Sequence, residues 1–316
     1  MKKNFKKLSL VILVLSSIYM NVNSEESQIK VGLLVPMTGE NKELGEAIIK
    51  ATRMAIKDIN SSQLVIYPMD SASDPNQTLK SAAKFEKMGI KIVIGPVFYK
   101  NLIYLNEIEN ITFLSLTNKT IGLPKNVISS GVNATSQLNT IKKFIELSEL
   151  KKTIFLTPKL DYEKEIKKAI NQSRLKISKH HMYETEPTKL TKQIEKVTKY
   201  KIRKQNLEDE IKRVENSEEN NKEKKLEILN KKDTLGKIGY DSVIIADFDE
   251  SLKSVTTSLL YTDFSPKKIT FISLNQWFDE SLFKEKASQP IGFPSINKEN
   301  FEKIKKNYNN FYNKEP

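Results

Sequence analysis

Two hydrophobic rhythms trade places along this chain. Residues 29–35 form an almost continuous apolar run that meets Pro36 and Gly39, the pattern of a strand buried on both faces. Ala47, Ile48, Ala51, Met54, Ala55 and Ile59 then recur at helical spacing across residues 44–60. Residues 64–69 predict a second strand. Asp74 and Pro75 predict an N-cap with proline in the first helical position, opening a helix that runs to about Met88. Residues 89–96 read as a strand closed by a glycine turn, 97–110 as a helix and 111–116 as the next strand. Four β units joined by helices describe a doubly wound parallel sheet, whose ligands lie beyond the carboxyl ends of its strands.

After a short strand at 126–132 the pattern starts again. Helices are predicted at 135–150, 162–173 and 251–261, and strands at 153–157, 176–178, 241–247 and 269–274. The fold class is therefore α/β, with two doubly wound, Rossmann-like lobes. The first takes residues 25–132 and the second 133–291. The segment 292–316 is expected to return to the first lobe as a helix at 298–313, with Phe301, Ile304, Tyr308 and Phe311 on one stripe. Residues 186–237 break the alternation. They are charged and almost free of Gly and Pro, with Leu190, Ile194, Val197 and again Leu207, Ile211, Val214 at i, i+4, i+7. Asn216 to Asn221 is a polar turn, and Leu226 and Leu229 begin a return stripe. This predicts an antiparallel helical hairpin inserted in the second lobe, either a solvated excursion or an arm for protein contact.

Composition narrows the picture. Lys+Arg exceed Asp+Glu by 52 − 39 = 13, but the lysines are interleaved with glutamates, which argues against a nucleic-acid arm. Lys2, Lys3, Lys6 and Lys7 precede an apolar run over residues 8–20, and Val22 to Ser24 ends it with small residues. Residues 1–24 are read as a cleavable secretory signal peptide, too short in its apolar run for a membrane span. The chain has no cysteine, so no lipoprotein anchor, disulfide, thiolate metal site or Cys nucleophile is expected.

No phosphate loop, dinucleotide fingerprint, nucleophile elbow or zinc-protease motif occurs, and no cofactor or metal is implied. The only histidines, His180 and His181, are adjacent, and neighbours on a strand point to opposite faces. Of the paired acids, Asp70/Asp74 fit turn and cap chemistry. Asp247/Asp249 sit at a strand end, with Asp249 placed to cap the next helix. The residues point to a binding protein rather than an enzyme.

The Pro-Met-Thr-Gly turn at 36–39, the Leu44-Gly45 helix start, the run Tyr67 to Ser71 with Asp74-Pro75, and the turn closed by Gly95-Pro96 occur in that order. Together they resemble type I periplasmic binding proteins of the leucine/isoleucine/valine-binding kind. The hairpin, its exit at Lys232 to Gly236, Tyr240 to Val243 and Asn275 to Asp279 look like the subgroup of penicillin-binding-protein activators. The resemblance implies an interlobe cleft walled by Met37, Thr38 and Gly39, by Gly95 to Tyr99, by Ser115, Leu116, Thr117 and Asn118, and by Tyr162, Asp247, Phe248, Asn275 and Trp277. Thr38 has a competing role in its turn and Trp277 in lobe packing.

Three departures from the family bear on function. Bulky Phe98 and Tyr99 follow Gly95 where amino-acid receptors place a small hydroxyl. Asn275 stands where they place an acid, leaving Asp247 as the substitute partner for an ammonium. The family carries further first-lobe helices beyond the position of Pro316, so that lobe is expected to be incomplete. The resemblance thus implies a non-enzymatic periplasmic regulator that touches a penicillin-binding protein or other peptidoglycan synthase. The alternative is the substrate-binding subunit of an ABC importer, serving a permease with an amino acid or other small polar ligand. A secreted enzyme has no motif behind it.

Overall fold

The computed structural model describes residues 28–274 and 289–315. The expected leader and the candidates Asn275 and Trp277 lie outside the described residues. The chain divides into two compact units, one comprising residues up to Leu116 with Pro124–Ile128, the other Thr117–Leu123 with Ser129 onward.

The first unit holds a five-stranded sheet in the order β2-β1-β3-β4-β5, built from Ile29–Val35 (β1), Leu64–Asp70 (β2), Ile92–Ile94 (β3), Thr112–Ser115 (β4) and Val127–Ser129 (β5). β1 pairs in parallel with β2 and β3, and β3 with β4. Leu33, Leu34, Phe85, Val93 and Phe113 form its buried interior. Helix α1 (Lys42–Ile59) starts tightly against the strand before it. A Cβ on Gly45 would stand 1.6 Å from the Pro36 carbonyl oxygen, so only glycine fits there. The stripe expected on α1 is only partly covered: Met54 is buried, but Ala47, Ala51 and Ala55 are exposed and so is Ile59. Helix α2 (Pro75–Lys87) begins as expected, with Asp74 accepting the Gln77 N–H at 2.8 Å and Pro75 in its first turn. The helix expected at 97–110 is instead two short 3₁₀ turns, Tyr99–Leu102 and Leu105–Glu107. Leu102, Leu105 and Ile108 are buried at a spacing of three, which suits that tighter winding.

The second unit holds another five-stranded sheet, in the order β10-β9-β8-β6-β7 and parallel throughout. Its strands are Thr153–Pro158 (β6), Lys179–Tyr183 (β7), Ser242–Ile245 (β8), Thr270–Ser273 (β9) and Ile291–Gly292 (β10). β7 forms just after the expected 176–178. Strand residues alternate between two cores. Ile154, Leu156, Val243 and Ile245 pack with Leu252, Val255 and Leu259, all but the strand residues drawn from α8 (Asp249–Tyr261). Phe155 and Ile244 face Leu138, Ile141 and Ile145 of α3 (Ala134–Leu147) and Ile166 and Ala169 of α4 (Glu163–Ser173). Residues 292–316, expected in the first lobe, fall in this second unit, because β10 is bonded to β9. Of the stripe on α9 (Lys298–Tyr312), Tyr308 is buried, while Ile304 and Phe311 are exposed.

The charged insertion divides differently from expectation. Leu190, Ile194 and Val197 lie on α5 (Pro187–Val197) and belong to the main core with Tyr183 and Phe264. The arm proper is α6 (Tyr200–Glu215) and α7 (Lys222–Asn230), which share a small core of their own, Leu207, Val214 and Leu229 flanked by Ile211, Leu226 and Leu235. Sixteen residues make α6 about 24 Å long.

Arg203 fastens this arm. Its side chain is 3% exposed. The guanidinium donates to the Thr198 carbonyl at the end of α5, to the Thr234 hydroxyl at the arm's exit and to the Thr262 carbonyl at the end of α8. Asp263 lies 3.8 Å away and accepts the Thr234 hydroxyl at 2.5 Å. The Leu235 N–H also donates to the Arg203 carbonyl at 2.9 Å. Removing one member of a buried ion pair strands its partners and typically costs about 3–5 kcal/mol. Arg203→Ala is expected to lose stability on that scale in urea unfolding. Arg203→Lys, which keeps the charge but not the planar fork, should recover only part. A loss below about 1 kcal/mol for the alanine variant contradicts this role.

Candidate functional site

In a parallel sheet every strand-to-helix turn emerges on one edge, so candidate residues in each unit are collected there by topology. In the first unit the turn after β1 is tied to the turn after β2. Asp70, opposite Val35 in register, accepts the Met37 N–H at 2.7 Å, the Thr38 hydroxyl at 2.5 Å and the Ala72 N–H at 2.7 Å. Burial works to raise the Asp70 pKa, but the hydrogen bonds from Thr38, Met37 and Ala72 outweigh it and hold the carboxyl below its ordinary value. The Thr38 hydroxyl is thus engaged in its own turn, while Thr38 and Gly39 are exposed.

Gly95 closes β3 at φ +104°, and a Cβ there would lie 2.1 Å from the Leu34 carbonyl oxygen. The next carbonyl, of Pro96, accepts the Ser115 hydroxyl at 2.8 Å and the Leu116 N–H at 3.1 Å. Ser115 is fully buried, so its hydroxyl braces the β3 and β4 turns against each other. Tyr99 is 41% exposed at the start of its 3₁₀ turn.

Thr117 and Asn118 follow Ser115 in sequence but belong to the second unit. Thr117 is buried, and its carbonyl accepts the Ser129 hydroxyl at 2.7 Å; Asn118 is exposed. The segment is held by Glu165 on α4. Glu165 accepts the Thr120 N–H at 2.8 Å, the Thr120 hydroxyl at 2.5 Å and the Ile121 N–H at 2.9 Å, while Lys168 donates to the Thr120 carbonyl. Burial raises the Glu165 pKa, and the bonds from Thr120 and Ile121 more than offset it. Nothing local in the sequence pointed to Glu165, because its partners lie 44 and 45 positions away.

At the carboxyl edge of the second sheet, Asp247 is 1% exposed. Its Oδ1 accepts the Tyr162 hydroxyl at 3.2 Å and the Phe248 N–H at 2.9 Å. Its Oδ2 accepts the Tyr183 hydroxyl at 2.5 Å and the Ser251 hydroxyl at 2.6 Å. The ring of Tyr162 meets Phe248 edge-on at 5.8 Å. Burial, followed by the charge of Asp247, pushes both tyrosine pKa values well above the ordinary phenol value. Tyr162 and Phe248 therefore meet around Asp247, and Tyr183 and Ser251 join them. The role of Asp247 differs from expectation: each oxygen already takes two donors, leaving little capacity for an ammonium. The expected cap role of Asp249 also gives way. Asp249 is the first residue of α8, at φ +51°, and the carboxylate bonded at the helix start is that of Asp247.

The remaining chemistry is sparse. Among the described residues no group of three His, Asp or Glu is arranged to hold a metal. His180 Nε2 sits 3.0 Å from Thr157, whose side chain is fully buried, and His181 Nε2 is buried without a partner. Burial lowers both histidine pKa values. No helix among the described residues is long and apolar enough to cross a membrane.

Comparison with known proteins places this geometry. Residues 28–201 match the family described as periplasmic binding protein. Leu/Ile/Val-binding protein homolog 1 of Brucella abortus (strain 2308) is 36% identical over 75 residues, 22% of this chain and 20% of that protein. The match thus spans about a fifth of that relative's length. The C-domain of LpoA (YraM) from Haemophilus influenzae, described as a regulator of PBP1A, superimposes with a TM-score of 0.56 at 14% identity, over 88% of this chain and 78% of that one. An ABC transporter substrate-binding protein from Desulfitobacterium hafniense gives 0.53 at 12% identity, over 92% and 79%. At such identities the likeness is one of fold.

Two predictions follow from the carboxylates. Tyr183→Phe removes a donor from a buried charge and should cost about 1–3 kcal/mol in urea unfolding. An unchanged midpoint contradicts the arrangement around Asp247. Asp70 and Glu165 titrate below their ordinary values, so their stabilisation is present above roughly pH 4–4.5 and is lost as pH falls further. Tyr162 and Tyr183 titrate above theirs, so their contribution is full below about pH 10 and is lost as pH rises through their folded-state pKa values. Burial lowers the pKa values of His180 and His181, so their contribution is present above about pH 6.5 and declines below it. Melting temperature against pH should therefore be level only between about pH 6.5 and about pH 10. Glu165→Gln should shrink the acidic fall.

Proposed function

Because this chain belongs to the periplasmic binding protein family, we propose that it is a non-enzymatic periplasmic regulator of peptidoglycan synthesis. In this reading it resembles the penicillin-binding-protein activators and contacts a penicillin-binding protein or other peptidoglycan synthase through its helical arm. The observation that carries the reading is the arm itself. It has a private core, a rigid root at Arg203 and no part in either main core of the second sheet. A disordered excursion needs neither a core nor a buried anchor. The saturated Asp247 also supports a regulator, since a buried ammonium needs a carboxylate with spare capacity. The likeness in fold to the LpoA C-domain is consistent with this role. The leader, if cleaved after Ser24, delivers the mature chain to the periplasm.

The second reading is a substrate-binding subunit of an ABC importer. The local identity to a Leu/Ile/Val-binding protein homolog favours it. The resemblance implies that its ligand would meet Met37, Thr38, Gly39, Gly95, Tyr99, Ser115, Thr117, Asn118, Tyr162, Asp247, Phe248, Asn275 and Trp277; of these, Thr38, Gly39, Tyr99 and Asn118 are exposed on their loops.

Two measurements separate the readings. The purified chain is expected to retain the periplasmic domain of a bifunctional penicillin-binding protein in a pull-down. The variant in which residues 207–230 are replaced by a short Gly-Ser linker, keeping Arg203 and Thr234, is expected to lose it. An amino-acid panel should leave the melting temperature unchanged. A ligand present at 100 times its Kd adds about 2.7 kcal/mol, so a shift of several degrees with one amino acid, together with retention by the armless variant, overturns the regulator reading.

A further inference from the structure

The arm is not uniform in charge. Its distal part, residues 207–231, carries six Lys or Arg against eight Asp or Glu. Half of its six cations are paired with acids: Arg213 with Glu210 at 2.8 Å and Glu219 at 3.4 Å, Lys231 with Glu227 at 2.6 Å, and Lys225 with Glu219. The root is different. An open groove of about 970 Å³ runs along α5 into the first turn of α6, and four of the residues lining it are Lys192, Lys196, Lys199 and Lys201. Among the described residues the one acid lining it, Glu195, is 3.9 Å from Lys201, at the limit of an ion pair. Lys192, Lys196 and Lys199 have no acidic partner among the described residues. Beside them Ile202, also a lining residue, is 61% exposed.

From this groove we infer a docking surface for an extended acidic protein segment that carries an apolar side chain. Three unpaired lysines in a concave surface reinforce one another and are relieved by carboxylates. Its volume is at the upper end of small-ligand clefts, which suits a stretch of chain. The exposed Ile202 among lysines calls for an apolar group alongside the carboxylates, which a polypeptide supplies. A concave face also fits a strand of chain better than a flat bilayer. This surface goes beyond the regulator reading and stands without it, since it requires neither the distal arm nor a peptidoglycan synthase.

The test is fluorescence anisotropy of the intact chain with a labelled twelve-residue Asp/Glu-rich peptide containing two leucines. Its Asn/Gln counterpart and phosphatidylglycerol vesicles serve as the other probes. The acidic peptide is expected to bind at least tenfold more tightly than its neutral counterpart. Raising salt from 50 to 200 mM should weaken it severalfold. The triple variant Lys192→Gln, Lys196→Gln, Lys199→Gln should lose about tenfold, Lys196→Gln alone two- to threefold, and Ile202→Ser about threefold. Lys222→Gln, Lys224→Gln, Lys231→Gln in the distal arm should change affinity by less than twofold. All these side chains are exposed except Lys222, which is half-buried and donates to the Glu215 carbonyl; melting temperatures of the root variants should stay close to the parent's. The inference is overturned if the acidic peptide does not bind, if the neutral peptide binds equally, or if root and distal variants lose equally. Binding of vesicles but not peptide, or dimerisation of the chain through the groove, overturns it too. Failure of the synthase pull-down does not bear on it.

Discussion

A guanidinium buried at 3% exposure has to be met by protein, because its donors cannot reach water. Arg203 meets that demand with the last carbonyls of two core helices and a threonine at the arm's exit. The same few bonds therefore finish α5, finish α8 and fix the point where the arm leaves the unit. The charge is matched by Asp263, itself held by Thr234. An arm rooted this way keeps a fixed direction while its outer helices share a small core of Leu207, Val214 and Leu229, flanked by Ile211, Leu226 and Leu235. Rigidity at the root and a slender core further out suit a contact element, since a pre-oriented element loses little entropy on binding.

The two sheets obey a second constraint. Parallel strands deliver every turn to one edge, and the turns there are braced chiefly by hydroxyls and carboxylates. Asp70 ties β1 to β2, Ser115 ties β3 to β4, and Asp247 gathers two tyrosines and a serine. The edge is built, but much of its polar capacity is committed within the protein, as the four donors on Asp247 show.

Much of this was legible in the sequence. Residues 29–35, 153–158 and 242–245 are apolar runs of the kind a strand covered on both faces requires, and the Asp74-Pro75 helix start follows from local cap chemistry. The periodicity of Leu190, Ile194 and Val197 revealed a helix but not its partner, so α5 was read into the arm although it lines the main core. β7 was hard to place because Lys179, His180 and His181 occupy an edge strand with little apolar signal. The stretch after Pro96 has buried leucines at a spacing of three, which an eye set for 3.6 residues per turn reads as a helix. Asp70, Glu165 and Arg203 were out of reach for a shared reason. Thr38, Thr120 and Thr262, which they bond, lie 32, 45 and 59 positions away, and no local pattern encodes a long-range hydrogen bond.

Amide hydrogen exchange on the intact chain, with and without the periplasmic domain of a bifunctional penicillin-binding protein, tests the central claim most directly. The account predicts that added partner slows exchange across residues 200–231 while the loops at 36–39 and 95–99 are unchanged, and that an amino-acid panel slows neither. Protection of those loops by one amino acid, with the arm exchanging at the same rate whether or not the synthase is present, would contradict it.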